Sequence, residues 1–346
     1  MDPVDRLILD ETPEPAGRVL VLDAPELATA AAARGWDVIA YADSLLDERR
    51  CEVPVTDRLP EPGRVPESLT TVDLVLLRLP KATAALEEYA QRLALLPSLR
   101  HVVAGGRVKH MTRSMNEVLA TRFDTVRASL GRQKSRVLHA TGPLPGTVDF
   151  PRTAQHAELG LTLAAHGATF AGSRIDPGTR LMVGALDRLP PADPDIPAID
   201  LGSGNGTLAA LLARAGHAVI AIDESRAACL STAATARLNG HAAGEAAGDV
   251  TVQRADGLTA TPDRSARLIV CNPPFHVGTT KDSTPALAMI DDAARVLQPG
   301  GELWLVFNAH LPYLPRLRQR IGRTEIVARN QKFIVTRSVR RVRPTL

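Results

Sequence analysis

Residues 195–216, DIPAIDLGSGNGTLAALLARAG, read as a short apolar strand, a glycine loop and a helix. Glycines between a strand and a helix let a ligand come close to the backbone in the crevice at the strand ends. Gly202, Gly204 and Gly206 follow a GxGxG pattern; a dinucleotide fingerprint would need a glycine at position 207, which is Thr207. The loop therefore predicts a nucleotide-like ligand without a pyrophosphate, held by an α/β fold.

Working outward, the alternation continues on both sides. HAVIAIDES (217–225) is a strand, RAACLSTAATARLNG (226–240) a helix closed by Asn239 and Gly240, and DVTVQRADGL (249–258) and ARLIVCNPPF (266–275) are strands. STPALAMIDDAARVLQPGG (283–301) is a helix with a Ser/Thr start and a Gly stop, ELWLVFNAH (302–310) a strand, and TEIVARNQKFIVTRSV (324–339) a closing hairpin. Towards the N-terminus, GRVLVLDAP, WDVIAYAD, TVDLVLLRLP and LRHVVAGGR are strands, with ELATAAAARG and KATAALEEYAQRLALL as helices between them. A less regular basic segment follows, and HATGPLPGTVDFP (139–151) has the Gly/Pro content of a linker. Strand and helix in alternation mean a mostly parallel sheet with crossover helices. At 346 residues the chain suits two domains. The expectation is two tandem Rossmann-like domains, residues 1–145 and 146–346, the second with a seven-stranded, mostly parallel sheet ending in an antiparallel hairpin. The first is the degenerate copy, because VLVLDAPELA (19–28) stands where the glycine loop should be and contains no GxG.

Charge narrows the partners. The net charge is only +3, but basic residues cluster between Arg100 and Arg136 (Arg107, Lys109, Arg113, Arg122, Arg127, Arg132, Lys134), and again from Arg316 to Arg343. Such clusters suit a polyanion through its phosphates, although solvated faces would give the same pattern. The three cysteines, Cys51, Cys229 and Cys271, lie far apart with no CxxC or Cys/His spacing, which argues against a disulfide framework or a zinc site and fits a reducing cytoplasm. The acidic start MDPVDRLILDETPEP is unlike a signal peptide, and no apolar run approaches the ~18 residues of a membrane span.

The chemistry gathers at the strand ends. The glycine pattern points to S-adenosyl-L-methionine, with Asp200, Gly202, Ser203, Gly204, Asn205 and Gly206 forming its loop. Asp223, followed by Glu224, ends the next strand, where a carboxylate accepts hydrogen bonds from ribose hydroxyls. Asp256, with the Gly257 backbone, ends the third and is placed for an adenine amino group. Each carboxylate alone reads more readily as a helix cap or loop carboxylate; three successive strand ends together make the cofactor reading. Asn272, Pro273, Pro274 and Phe275 follow the fourth. The prolines restrict the backbone and hold Asn272 towards the crevice, where its amide oxygen and the Pro273 carbonyl would accept both hydrogens of an exocyclic amine. Phe275 offers a face for a stacked base. A rigid Pro turn closing a strand is the structural alternative. Cys271 reads as a small buried residue, His276 as a loop histidine and Trp304 as core. No paired carboxylates or Ser/His/Asp set suggests hydrolysis, and no metal site is expected.

With FAGSRIDPGTRLM (170–182), NPPFHVG (272–278), LQPGGELWLVFNAHLPY (297–313) and NQKFIVTRS (330–338) added to the loop, the chain resembles the bacterial ribosomal RNA guanine-N2 methyltransferases of the C and G types. Ser203 departs from the Cys common in that family's loop. The resemblance implies tandem class I methyltransferase-like domains, of which the first has lost its cofactor site. It also implies methylation of a guanine N2 amine in ribosomal RNA, with 16S favoured over 23S. The expected partner is ribosomal RNA or a ribosomal subunit, the expected state a cytoplasmic monomer without membrane attachment. The rivals are a protein-glutamine N5 methyltransferase, which shares the Asn-Pro-Pro logic, and a non-catalytic RNA-binding assembly factor.

Overall fold

The computed structural model describes residues 1–242, 248–274 and 284–342; Phe275, His276, Ser283 and Arg343 lie outside them. The chain divides into two compact units, residues 1–150 with 166–168, and residues 151–165 with 169–346.

In the first unit the elements run α1 (Pro3–Glu11), β1 (Arg18–Leu22), α2 (Pro25–Ala32), β2 (Val38–Tyr41), α3 (Leu45–Arg50), β3 (Val72–Arg78), α4 (Thr83–Leu93), β4 (His101–Arg107), α5 (Arg113–Ala120), β5 (Phe123–Ala128) and β6 (Ser135–Pro143). Helix α1 starts where Asp2 caps it, its Oδ1 accepting from the Val4 N–H at 2.7 Å, with Pro3 in the first turn. The sheet order is β2-β1-β3-β4-β6-β5, with β5 and β6 antiparallel and the rest of the ladder from β2 to β4 parallel. Alternate residues feed opposite faces: Val19, Val21, Leu74 and Leu76 join the core that includes Leu7 and Leu27, whereas Leu20, Leu22, Val75 and Leu77 join the core that includes Leu86 and Leu93. Two expectations are corrected here. The basic segment is a helix and an antiparallel hairpin, and the supposed linker is strand β6 as far as Pro143. Proline is tolerated there because the β4 ladder ends at the His101–Thr141 pair, which leaves position 143 with β5 alone beside it.

The second unit opens with the two-stranded ribbon β7 (Arg152–His156) and β8 (Leu161–Ala165), followed by α6 (Pro177–Val183). Then come β9 (Ala198–Leu201), α7 (Thr207–Arg214), β10 (Val219–Asp223), α8 (Arg226–Leu238), β11 (Val250–Arg254), β12 (Ala266–Cys271), α9 (Thr284–Val296), β13 (Leu297–Asn308), α10 (Tyr313–Arg320), β14 (Gly322–Arg329) and β15 (Phe333–Arg340). The order β11-β10-β9-β12-β13-β15-β14 is parallel through β13 and antiparallel at β15 and β14, as expected from the sequence. Chain order reverses between β9 and β12, and a crevice beyond the carboxyl ends of such a pair is where open α/β sheets bind ligands. Without β11, this order is that of the first unit. What remains there of a third strand is one parallel bridge, Ala40 to Val55.

Candidate active site

The crevice between the ends of β9 and β12 is lined by Asp200, Gly202, Ser203, Gly204, Asn205 and Asn272, joined by Phe170, Asp176 and Thr179. Its floor is a backbone turn. Gly202 sits at φ 78° and its N–H donates to the Ile222 carbonyl at 2.8 Å; Gly204 sits at φ 56° and its N–H donates to Asp223 Oδ2 at 3.0 Å. Gly206 closes the turn at φ 77°, where a Cβ would lie 2.9 Å from Thr232 Cα, so glycine is needed both for the left-handed backbone and for the approach of α8. Helix α8 holds the loop from behind: Thr232 Oγ1 donates to the Gly204 carbonyl at 3.1 Å, and Thr235 Oγ1 to the Asn205 carbonyl at 2.8 Å. Asn205 Nδ2 reaches the other way, donating to the carbonyls of Gly172 at 2.8 Å and Arg174 at 2.9 Å. The segment before α6 is thereby tied to the glycine loop.

Two sets of buried, under-partnered oxygens mark what the crevice is built to receive. Asp200 is 1% exposed, and no side chain among the described residues hydrogen-bonds its carboxylate oxygens. Burial pushes its pKa up to about 7, the Ala209 backbone N–H of α7 opposing the rise and the charge of Asp223 adding to it. A buried carboxylate without a counter-charge is costly to ionise, and a cationic group in the crevice would offset that cost. The second orphan is Asn272 Oδ1, buried and without a partner. Its amide nitrogen donates to Asp176 Oδ2 at 3.1 Å and to Thr179 Oγ1 at 2.9 Å. An ionised carboxylate only accepts, so the nitrogen must face Asp176 and the oxygen is left as the unfilled acceptor. The donor set suits S-adenosylmethionine: an open glycine turn, a buried carboxylate for a cation, and Asp223 at the end of the neighbouring strand.

Asp223 braces the turn, its other oxygen accepting from the Ser225 N–H at 3.0 Å. Glu224, Asp256 and Gly257 lie beyond the ends of β10 and β11, and β11 stops at Arg254, two residues before the expected strand-end Asp256. Gly206 caps α7, Pro273 is buried and Pro274 is exposed. Cys271 is fully buried at the end of β12, and burial pushes its thiol pKa well above the ordinary value, which leaves no thiolate for nucleophilic work. Trp304 is buried and donates to Glu302 at 2.8 Å. The residues that sequence reasoning missed are Asp176 and Thr179. The signal for Asp176 was present, since Asp-Pro-Gly-Thr is a helix start: Asp176 Oδ2 accepts from the N–H groups of Gly178 at 2.7 Å and Thr179 at 3.2 Å. Among the described residues no group of His, Cys, Asp and Glu could hold a metal, and no helix is long and apolar enough to cross a membrane.

Strand order and crevice together define a class I S-adenosylmethionine-dependent methyltransferase. Residues 160–337 match the family model "Methyltransferase small domain", and residues 4–143 match "RLMG N-terminal domain". "Ribosomal RNA large subunit methyltransferase G" of Streptomyces coelicolor is 35% identical over 87% of this chain and 82% of its own length; the protein of the same name from Pseudomonas aeruginosa is 36% identical over 79% and 73%. The chain belongs to this family of bacterial ribosomal RNA methyltransferases. A T. thermophilus 16S rRNA N2 methyltransferase solved with AdoMet and guanosine shares the fold, with a TM-score of 0.78 over 98% of this chain and 92% of its own at 23% identity.

Proposed function

We propose that this chain methylates the exocyclic N2 amine of a guanine in large-subunit ribosomal RNA. The observation that carries the reading is the unfilled Asn272 Oδ1, an acceptor held at the crevice by a carboxylate that fixes its orientation. S-adenosylmethionine supplies an electrophilic methyl group on a sulfonium. Asp200 would hold its positive end, the turn Gly202–Gly206 would pass close beneath it, and Asp223 with Glu224 would take its ribose; Asp256 and Gly257 would reach its adenine. The guanine is flipped out of its stack at a cost of a few kcal/mol. Asn272 Oδ1 and the Pro273 carbonyl would accept the two N2 hydrogens and turn the nitrogen lone pair towards the methyl group; S-adenosylhomocysteine would leave, one N2 proton would pass to water, and Phe275, outside the described residues, would supply the stacking face. The protein's work is then proximity and orientation.

The first unit has the role of an RNA-binding platform. The Val108 N–H donates to the Lys134 carbonyl at 2.9 Å, and this joins the end of β4 to the β5–β6 turn. Lys109, His110, Lys134 and Arg136 are exposed around that junction, a surface suited to phosphates. The large subunit replaces the small one expected from the sequence because relatives at 35% and 36% identity over most of the chain bear that name, whereas the 16S enzyme shares 23%. A monomer in the cytoplasm suffices for such a substrate.

The test is transfer of labelled methyl groups to unmodified 23S RNA, 16S RNA and the isolated subunits, followed by nucleoside analysis. N2-methylguanosine from the large-subunit RNA is the expected product. Label on protein glutamine, or cofactor binding without transfer, would replace the reading with one of its two rivals.

A further inference from the structure

We infer that Asp176 and Thr179 are positioning residues for the transfer: together they decide that Asn272 presents its oxygen, not its nitrogen, to the target amine. The inference rests on the role proposed for Asn272 and deepens it.

A side-chain amide is nearly symmetric in shape, so packing alone does not distinguish its two ends. A flip would set the Asn272 NH2 group against the N2 hydrogens of a guanine, donor against donor, and would remove the acceptor on which orientation depends. Thr179 Oγ1, 2.9 Å from Asn272 Nδ2, tolerates either end, because a hydroxyl both donates and accepts. Asp176 Oδ2, 3.1 Å away, does not, because a carboxylate meets only donors. Asp176 therefore sets the polarity of the amide, and Thr179 supplies the second contact that stops it rotating. Both come from the start of α6, 96 and 93 residues from Asn272 in sequence, and Thr179 is buried. The same Asp176 oxygen also accepts the N–H groups of Gly178 and Thr179, so the first turn of α6 and the amide share one anchor.

The test separates positioning from folding. Thr179→Val keeps shape and loses the hydroxyl; Asp176→Ser keeps a helix-capping oxygen but is too short to reach Asn272. Both are expected to lower kcat roughly 10- to 100-fold, the factor for one lost hydrogen bond to a charged or transition-state group. The KM for RNA, the Kd for S-adenosylmethionine and the Tm should stay near wild type. Thr179→Ser, which keeps the hydroxyl, and Asp176→Asn, whose oxygen the Gly178 and Thr179 N–H groups hold at the position facing Asn272, should recover most of kcat. Wild-type kcat in Thr179→Val, or a loss matched by lost cofactor affinity and Tm, would overturn the inference. The wild-type product, read by nucleoside analysis in the same assay, tests the guanine-N2 reading separately, since the variant-to-wild-type ratio is measurable for whatever nucleoside is formed.

Discussion

Tyr89 on α4 donates its phenolic hydroxyl to the carboxylate of Asp23, with the two oxygens 2.6 Å apart. Asp23 follows β1 as Gly202 follows β9, and the two share a backbone: φ is 52° and 78°, and each N–H donates to the carbonyl of the residue paired with its strand's last position, Tyr41 at 2.9 Å and Ile222 at 2.8 Å. The first unit thus has the same left-handed turn, with the Asp23 side chain bonded to Tyr89 in place of a bare glycine. Aspartate is among the few residues other than glycine that accept such a backbone.

Burial raises the Asp23 pKa to about 6, and the Tyr89 hydroxyl works against that rise. Removing the donor in Tyr89→Phe should cost about 1–3 kcal/mol, measurable by denaturant unfolding. Titration calorimetry of the wild-type chain should give one S-adenosylmethionine per chain. Two equivalents would mean that the first turn still binds cofactor.

Asn272→Ala is expected to leave cofactor affinity near wild type and to lower kcat roughly 100-fold or more, as for the loss of a preorganised hydrogen-bonding group. Unchanged turnover would remove Asn272 from the mechanism.

The Asp200 carboxyl, with a pKa of about 7 against 3.8 for the free group, binds its proton more tightly in the folded chain. The contribution of this group to stability is therefore full below pH 3.8 and is lost as pH rises from there to about 7, since the buried carboxylate ionises at a cost; Glu88 and Glu302, whose pKa values are lowered, act in the opposite sense. A cationic cofactor needs the ionised form, so its affinity should rise several-fold between pH 6 and 7.5 and then level off. Calorimetry across that range checks the slope, and Asp200→Asn should flatten it. Equal affinity at both pH values would take Asp200 out of the cofactor site.

Lys109→Glu with Lys134→Glu should raise the KM for RNA and reduce the slope of log affinity against log salt by about one unit or more for the pair, with kcat at saturating RNA retained. An unchanged salt slope would show that the RNA lies elsewhere.

Loop geometry and the alternation of strand and helix were readable in the linear chain because both are local: GxGxG permits the positive φ values of the turn, and near-continuous runs of Val, Ile and Leu build strands covered on both faces. The Asn-Pro-Pro stop at β12 was legible for the same reason. Several features had no such signal. The β5–β6 hairpin hid in a basic segment because its outward residues are charged and its last residues are Gly142 and Pro143, which read as a linker. That Asp256 would follow β11 by two residues and not end it was set by where β11 stops. The pairing of Asn272 with Asp176 and Thr179 arises only when the start of α6 packs beside the end of β12. Short-range backbone preferences could specify the turns and strands, but the direction of one amide is decided by a carboxylate 96 residues away, and that contact exists only in the folded unit.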